Sequence, residues 1–209
     1  PFSTLGTPPD RNIIEWGNTG SLDQATGVRI NRFGSIQHYW GGTNNYVSGS
    51  TLNITDGNWH HLAITYDGAR RSIYFDGQLR AQDNRSNHNV PSANNLSIGY
   101  VSGPQPNAMQ LDELRIYDRA LCEQEIQSSM NCEERITGNG LVANYHFNWG
   151  YPNTNNAIFN TLPDESGNGN NGLLNGFALT QERLALESLL RRFEWGLLKT
   201  CGYSFSLTH

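Results

Sequence analysis

The sequence predicts an all-β protein built as an antiparallel β-sandwich, and three observations support this fold class. Short segments alternate apolar and polar residues with a period of two, which is the pattern of strands that turn one face to a core. Clusters of Gly, Asn and Pro separate these segments. No long helical periodicity occurs before residue 120. Many short strands joined by polar turns are typical of two packed antiparallel sheets.

The strand predictions follow from this alternation in chain order. The clearest hairpin lies between Asp-Gly pairs, because these pairs supply the positive φ that tight turns need. Leu62, Ile64 and Tyr66 form one apolar row of this hairpin, and Ile73 and Phe75 form the other. The predicted strands cover residues 12–16, 26–32, 35–40, 60–66, 71–76, 95–100 and 110–117.

The second half of the chain has a different pattern. Residues 120–130 are predicted to form one short helix after the last core strand, and residues 131–139 a linker. Residues 181–199 place Leu and Phe at helical spacing with charged residues between them, which predicts an amphipathic C-terminal helix. This Leu-rich stretch differs from the Asn- and Gly-rich sequence before it, so an altered C-terminus and an oligomer interface are both open. Residues 203–205 are a candidate strand.

Charge and cysteine content limit the classes of partner. The net charge of −5 argues against nucleic acids and anionic membranes, which favour a basic face. No run approaches the ~20 apolar residues of a membrane span. Cys122 and Cys132 are close enough in sequence for a local disulfide that would leave Cys201 unpaired, and three free thiols are the alternative.

Several motifs carry a family resemblance. Residues 56–68, followed by Asp76-Gly77, resemble the central hairpin of laminin-G-like domains of the concanavalin A-like lectin and glucanase superfamily. The resemblance continues through residues 95–99 and 110–121, and residues 13–18 resemble an early strand. It implies a jelly-roll sandwich of the kind found in many secreted bacterial proteins. One such fold hosts many functions, so it specifies fold more strongly than function.

A second resemblance concerns domain organisation. Residues 140–148 and 164–172 resemble the opening of such a domain, which normally precedes the central hairpin. Residues 1–130 therefore form a laminin-G-like sandwich whose opening strands are apparently missing. Residues 140–209 either begin a second domain of a tandem array or return strands to the first sandwich.

Enzymatic activity is not expected. Glycosidases of this architecture carry paired carboxylates at positions i and i+4 of one strand, and this sequence has no ExDxxE run. Asp112 and Glu113 are adjacent, so a strand directs them to opposite faces. The same argument separates His60 from His61, which predicts one half-buried and one surface imidazole rather than a metal-binding pair.

The resemblance also implies a structural calcium ion near the start of the final strand. The matching position is Asp112, and the remaining oxygen ligands would come from backbone around Phe147 and Asn148 if that segment folds back. Such an ion would stabilise the fold and take no part in catalysis.

Glycan binding is the leading functional prediction. Aromatic faces stack on sugar rings beside polar side chains that reach hydroxyl groups. Alternation places His38 and Trp40 on one face and Tyr39 on the other, while Trp40 as core packing remains an alternative. The predicted ligand-binding residues are His38, Trp40, Asn44, Asn45, Tyr46 and Tyr100.

The predicted function is a non-catalytic extracellular carbohydrate-binding or adhesion module of a larger secreted or surface protein. Its partner would be a glycan or a surface protein. The alternative is a structural repeat that mediates assembly without a glycan site.

Overall fold

A computed structural model describes residues 10–18, 20–31, 33–42, 46–49, 52, 54, 56–86, 88, 90, 96–99, 111–130, 139–148, 158–174 and 204–206. The predicted C-terminal helix at 181–199 and nearly all of the predicted linker lie outside these residues. Among the described helices, none is long and apolar enough to cross a membrane.

The described elements are thirteen strands and one short helix. The strands are β1 (Arg11–Gly17), β2 (Ala25–Ile30), β3 (Ile36–Tyr39), β4 (Tyr46–Gly49), β5 (Leu62–Tyr66), β6 (Arg70–Phe75), β7 (Gln78–Asn84), β8 (Ser97–Ile98), β9 (Leu114–Tyr117), β10 (Leu141–Tyr145), β11 (Thr161–Leu162), β12 (Gly172–Leu173) and β13 (Ser204–Ser206). The helix α1 (Glu123–Ser129) follows β9.

Two sheets form a sandwich, which confirms the predicted fold class. One has five strands in the order β4-β3-β2-β1-β8, and the other has six in the order β10-β9-β13-β5-β6-β7. All pairs in both sheets are antiparallel except the two made by β13. A separate small hairpin joins β11 to β12.

The apolar core lies between the two sheets. It takes inward side chains from β1 to β6, from β9 and β10, and from β11, including Val28, Ile36, Ile64, Ile73 and Leu114. These residues alternate with polar ones along their strands, so the period-two pattern marks the buried faces correctly. Fully burying a side chain of this size contributes about 1.5–3 kcal/mol.

The helix α1 covers the opposite face of the six-stranded sheet. Ile126 of α1 packs with Ala63 of β5, Tyr117 of β9 and Leu141 of β10 in a second apolar cluster. The helix begins with the Glu125 carboxylate accepting a hydrogen bond from the backbone N–H of Cys122 at 2.9 Å. Cys122 is an exposed free thiol.

Strand β10 returns to the first sandwich. Tyr145 pairs with Leu114 and Leu141 with Tyr117, which makes β10 the antiparallel neighbour of β9. Of the two arrangements that the sequence leaves open for residues 140–209, this pairing is the one in which residues 141–145 add a strand to the sheet of the central hairpin.

A polar loop fastens the outer edge of β10. Asp164 accepts hydrogen bonds from the backbone N–H of Asn144 at 2.9 Å and of Ser166 at 2.9 Å. The Asn168 amide donates to the backbone oxygens of Leu141 and Val142. The Gly/Asn motif therefore supplies side-chain partners to a strand edge, because its short polar side chains reach the backbone directly.

Two core-sheet strands were not predicted from the sequence. Strand β7 carries mostly exposed residues and lies at the sheet edge, so it lacks the alternation that marks a half-buried strand. Strand β4 has four residues and a glycine, which is too short for the pattern to be visible. Both are found only through their pairing with β6 and β3.

A chain that ends at Asn139 is expected to lose cooperative unfolding, because it lacks β10 and exposes the backbone of buried β9. A chain that ends at Leu174 keeps β10 and its loop, and is expected to unfold at a higher temperature than the shorter chain. Thermal unfolding followed by circular dichroism measures both. A sharp transition in the shorter chain at the temperature of the longer one would show that β10 is dispensable.

Candidate functional site

The structure places two of the predicted glycan-binding residues in the interior. Trp40 is 0% exposed and His38 is 1% exposed, and both lie on the side of β3 that faces the other sheet. The alternation of His38, Tyr39 and Trp40 is as predicted, but the face chosen for ligand binding is the core face. The Trp40 ring is therefore a packing group and offers no surface to a sugar, which corrects the prediction for these two residues.

The surroundings of Trp40 explain its burial. Its ring stacks on His88 with centroids 3.9 Å apart, and the Arg71 guanidinium lies 4.3 Å from its centroid. Arg71 in turn donates two hydrogen bonds to Asp83, at 2.8 and 2.6 Å. This arrangement closes one end of the sandwich with a stacked cation and aromatic rings.

His38 lies beside a small gap in the core. Its Nε2 is 2.9 Å from Oγ1 of Thr26, and both residues line a cavity of about 10 Å³. That volume is at the lower limit for a single water molecule. Burial, with the nearby Arg71 charge, lowers the pKa of His38 well below its ordinary value.

The remaining predicted ligand-binding residues are only partly placed. Asn44, Asn45 and Tyr100 lie outside the described residues. Tyr46 begins β4, where it is the register partner of Tyr39.

The opposite face of the five-stranded sheet carries a connected set of polar groups and one aromatic ring. Glu15, Gly27 and Tyr39 are successive register partners across β1, β2 and β3, and Arg29 and Gln37 are partners one row away. We call Asn12, Glu15, Arg29, Gln37 and Tyr39 the outer polar face. The sequence signal for it was the position of Tyr39 opposite His38 and Trp40.

Gly27 allows the Tyr39 ring to cross the middle strand. A Cβ atom at Gly27 would lie 2.4 Å from Cζ of Tyr39, so only glycine leaves room for the ring there. The Tyr39 hydroxyl, at the far end of that ring, donates a hydrogen bond to Oε2 of Glu15. The missing side chain in β2 thus connects β3 to β1 through the aromatic ring.

Charge and hydrogen bonds hold this face in one arrangement. The Arg29 guanidinium lies 4.9 Å from the Tyr39 centroid and donates to Oε1 of Gln37 at 2.9 Å. Arg29 also pairs with Asp10 at 3.1 Å. Burial and the hydrogen bond to Glu15 raise the pKa of Tyr39. The hydroxyl therefore stays protonated at neutral pH and acts as a donor toward the carboxylate.

The carboxylates beside the last core strand form a buried network. Glu113 accepts a hydrogen bond from Nη2 of Arg115 at 2.8 Å and another from Nδ1 of His146 at 2.6 Å. The Asn144 amide lies 3.1 Å from Nε2 of His146, and Arg115 donates to the backbone oxygen of Ser129 in α1. The network ties β9, β10 and α1 together, so Glu113 serves the fold.

The predicted calcium position has limited support from the residues present. Tyr145 pairs with Leu114, so Phe147 and Asp112 follow two residues further along on facing segments. Oδ1 of Asp112 accepts a hydrogen bond from the backbone N–H of Glu113 at 3.0 Å. Within the described part of the chain, no three His, Cys, Asp or Glu side chains come together as a metal site. One carboxylate falls short of the ~6–8 oxygens that calcium takes, so these side chains do not fit the ion.

The adjacent histidines of the central hairpin have opposite environments. His61 is buried, and desolvation with the Arg115 charge lowers its pKa to about 4. His60 lies between two carboxylates, with Nε2 and Nδ1 each 3.0 Å from Asp56 and Asp76. Desolvation lowers the pKa of His60, but its hydrogen bonds to Asp76 and Asp56 outweigh this effect and raise the pKa. The predicted separation of the two rings is therefore seen.

A comparison with protein families identifies the fold family. The laminin G family model of the concanavalin A-like lectin/glucanases superfamily matches residues 6–127, which is more than half of the chain. The chain belongs to this superfamily. The outer polar face and the buried Glu113 network are thus features of a laminin-G-like domain, and the match ends near α1, before β10.

Individual relatives agree on the fold and differ in function. The crystal structure of a “putative carbohydrate binding protein” from Bacteroides ovatus aligns with a TM-score of 0.59 at 19% identity, covering 84% of this chain and 52% of that one. Neuronal pentraxin-2 from Cavia porcellus is 31% identical over 108 residues, which are 46% of this chain and 25% of that protein.

A different protein matches a short segment. DNA repair protein RecO from Legionella pneumophila (strain Lens) is 69% identical over 36 residues, or 17% of this chain and 16% of that protein. The chain thus spans between about a sixth and a quarter of the length of these two curated relatives.

Replacing Glu113 by Gln is expected to lower the free energy of unfolding by about 3 kcal/mol or more, because it leaves the buried Arg115 charge without its carboxylate. Glu165→Gln is the matched control: Glu165 lies 3.7 Å from the same histidine, but its side chain is 49% exposed. Its loss is expected to cost less than about 0.5 kcal/mol. Urea unfolding measures both, and equal effects would contradict a special role for the network.

The pH dependence of stability is expected to carry opposite contributions from His60 and His61. The unfolded chain binds a proton at His61 from about pH 6.5 downward and the folded chain only near pH 4, so stability falls over this range, by about 3 kcal/mol for this group. The raised pKa of His60 gives a contribution that is present below pH 6.5 and lost as the pH rises through the folded value.

Urea unfolding between pH 8 and pH 4 tests both signs. His61→Phe is expected to flatten the acid limb, and His60→Asn to destabilise the protein more at pH 6 than at pH 8. An unchanged acid limb in His61→Phe would show that other groups cause the acid loss.

Proposed function

We propose that this chain is a non-catalytic carbohydrate-binding module that works outside the cell or at its surface and binds glycans through the outer polar face. The observation that carries the proposal is the position of the Tyr39 ring between a carboxylate and a guanidinium on an exposed side of a sheet. Membership of a lectin and glucanase superfamily supports the ligand class. So does the likeness in fold to a protein described as carbohydrate-binding.

The chemistry of the outer polar face suits sugar hydroxyls. Glu15 accepts hydrogen bonds from Asn12 and Tyr39 at its Oε2, so its Oε1 has acceptor capacity for a hydroxyl donor. Arg29 supplies fixed donors beside it, and Tyr39 supplies a ring with an apolar face. Groups held in place by one another lose little freedom when a ligand binds, which favours affinity.

Hydrolysis is not part of the proposal. Glu113, the buried member of the adjacent carboxylate pair, is already engaged by Arg115 and His146, so it has no free oxygen aimed at a substrate. A role in DNA repair is not proposed either, since the segment shared with RecO covers 16% of that protein and this chain has a net charge of −5.

Assembly with another protein is the second candidate function, and one observation favours it. Ile158 is 81% exposed and Leu173 is 74% exposed, and both belong to the region of the small hairpin formed by β11 and β12. Large apolar side chains that stay in water are typical of surfaces that bind a partner.

A glycan array with the purified chain, followed by calorimetry on the best ligand, tests the first proposal. Gly27→Ala is expected to weaken binding at least about tenfold, because the new Cβ displaces the Tyr39 ring without touching a hydrogen-bonding group. Arg29→Ala is expected to weaken it similarly. Arg80→Ala is the matched control, since Arg80 is an exposed arginine on β7 of the other sheet.

Each result has a distinct meaning. Binding that survives Gly27→Ala and Arg29→Ala would place the sugar elsewhere. A folded chain that binds no glycan would contradict the proposal and favour assembly. Repeating the array with a chelator tests the calcium prediction at Asp112: no change in binding or in thermal stability would remove that prediction.

A further inference from the structure

The six-stranded sheet has a strand position between β5 and β9 that its occupant fills poorly. Strand β13 sits there, and without it the sheet would divide into β10-β9 and β5-β6-β7. Both flanking strands are deeply buried, with Leu62, Ile64 and Leu114 among the least exposed residues. Their backbone N–H and C=O groups on this side need partners, since unpaired buried groups cost free energy.

The direction of β13 is unusual for this molecule. It runs parallel to β5 and parallel to β9, whereas the other described pairs are antiparallel. Strands β5 and β9 therefore point the same way with one position between them. A strand of the opposite direction would pair antiparallel with both, and antiparallel pairing is slightly more stable per residue.

The length of β13 also falls short of the position. It pairs with Ala63 and Ile64 of β5, so that Leu62, Thr65 and Tyr66 have no strand partner on this side among the described residues. A segment of five or more residues would pair with the whole of β5.

The composition that the position requires follows from its two faces. On one face lie Ile64 and Ile116 of the main core, and on the other lie Ala63 and Tyr117 of the cluster under α1. An occupant buried on both sides needs apolar residues at successive positions, as in strands covered on both faces. Ser204, Phe205 and Ser206 supply one apolar residue of three.

We propose that the position between β5 and β9 is an acceptor site for an extended apolar strand from another polypeptide, which binds antiparallel to β5 and β9. The segment at 204–206 is then a replaceable occupant. The recognition is by β-augmentation: main-chain hydrogen bonds supply affinity, and the two apolar faces select the side chains. This inference does not rest on glycan binding, because the acceptor site and the outer polar face belong to different sheets.

A fluorescein-labelled octapeptide, KTVVIVTK, tests the acceptor site by fluorescence anisotropy with the full chain. Two variants of the occupant are compared. Phe205→Pro removes a backbone N–H from the centre of β13 and so weakens the competing strand, whereas Phe205→Val keeps a good strand former. The peptide is expected to bind Phe205→Pro with a dissociation constant at least about tenfold lower than Phe205→Val. The peptide KTVPIVTK is the control that cannot pair at its centre.

Orientation provides the second measurement. A nitroxide at the peptide N-terminus is expected to broaden the amide signals of Tyr66 and Tyr117, and not those of Leu62 and Leu114, if the peptide runs antiparallel. Broadening of the opposite pair, or of neither pair, would overturn the proposal. So would equal binding to the two variants, or no binding.

If Phe205→Pro does not fold alone, folding becomes the measurement. Recovery of a cooperative thermal transition on addition of KTVVIVTK, and not of KTVPIVTK, supports the acceptor site. An unfolded chain that neither peptide restores overturns it.

Discussion

The sandwich depends on the need of β9 for backbone partners on both sides. This strand is buried along its whole length, and water cannot replace a missing hydrogen bond there. One side is satisfied by β10, which lies more than twenty residues further along the chain. The return of β10 therefore shapes everything placed at this end of the molecule, including the position of α1 and the polar loop that follows.

The ion network around Glu113 gives this return its specificity. A buried ion pair adds little net stability compared with an apolar replacement, but removing one member leaves a charge that the interior cannot solvate. Since Glu113 bonds to Arg115 on its own strand segment and to His146 beyond β10, only one alignment of the two segments satisfies both. The network thus selects the register, while the apolar cluster under α1 supplies most of the favourable free energy.

Local patterns predicted the fold well and the site poorly, for physical reasons. The Asp-Gly turns and the alternation of the central hairpin follow from backbone sterics and burial, which act over a few residues. Whether Trp40 or Tyr39 faces water depends on where the second sheet lies, and that is a property of distant strands. The two faces of β3 look alike in sequence because each carries aromatic and polar residues. Gly27 was the available signal, since a strand glycine often marks a close approach, here that of the Tyr39 ring. Asp112 was found by resemblance alone, and no described cluster of ligands surrounds it.

The loop at residues 164–170 has a consequence for behaviour at high concentration. Strand β10 is the last strand of its sheet, and an open edge is a template on which a second chain can add its own strand. Here Asn168 and Asn170 occupy the carbonyl oxygens of Leu141 and Val142, and Asp164 occupies the N–H of Asn144. The edge is saturated by side chains that cannot themselves continue a sheet. Copies of this domain can therefore be crowded together, as on a coated surface, without this edge starting fibrous aggregates.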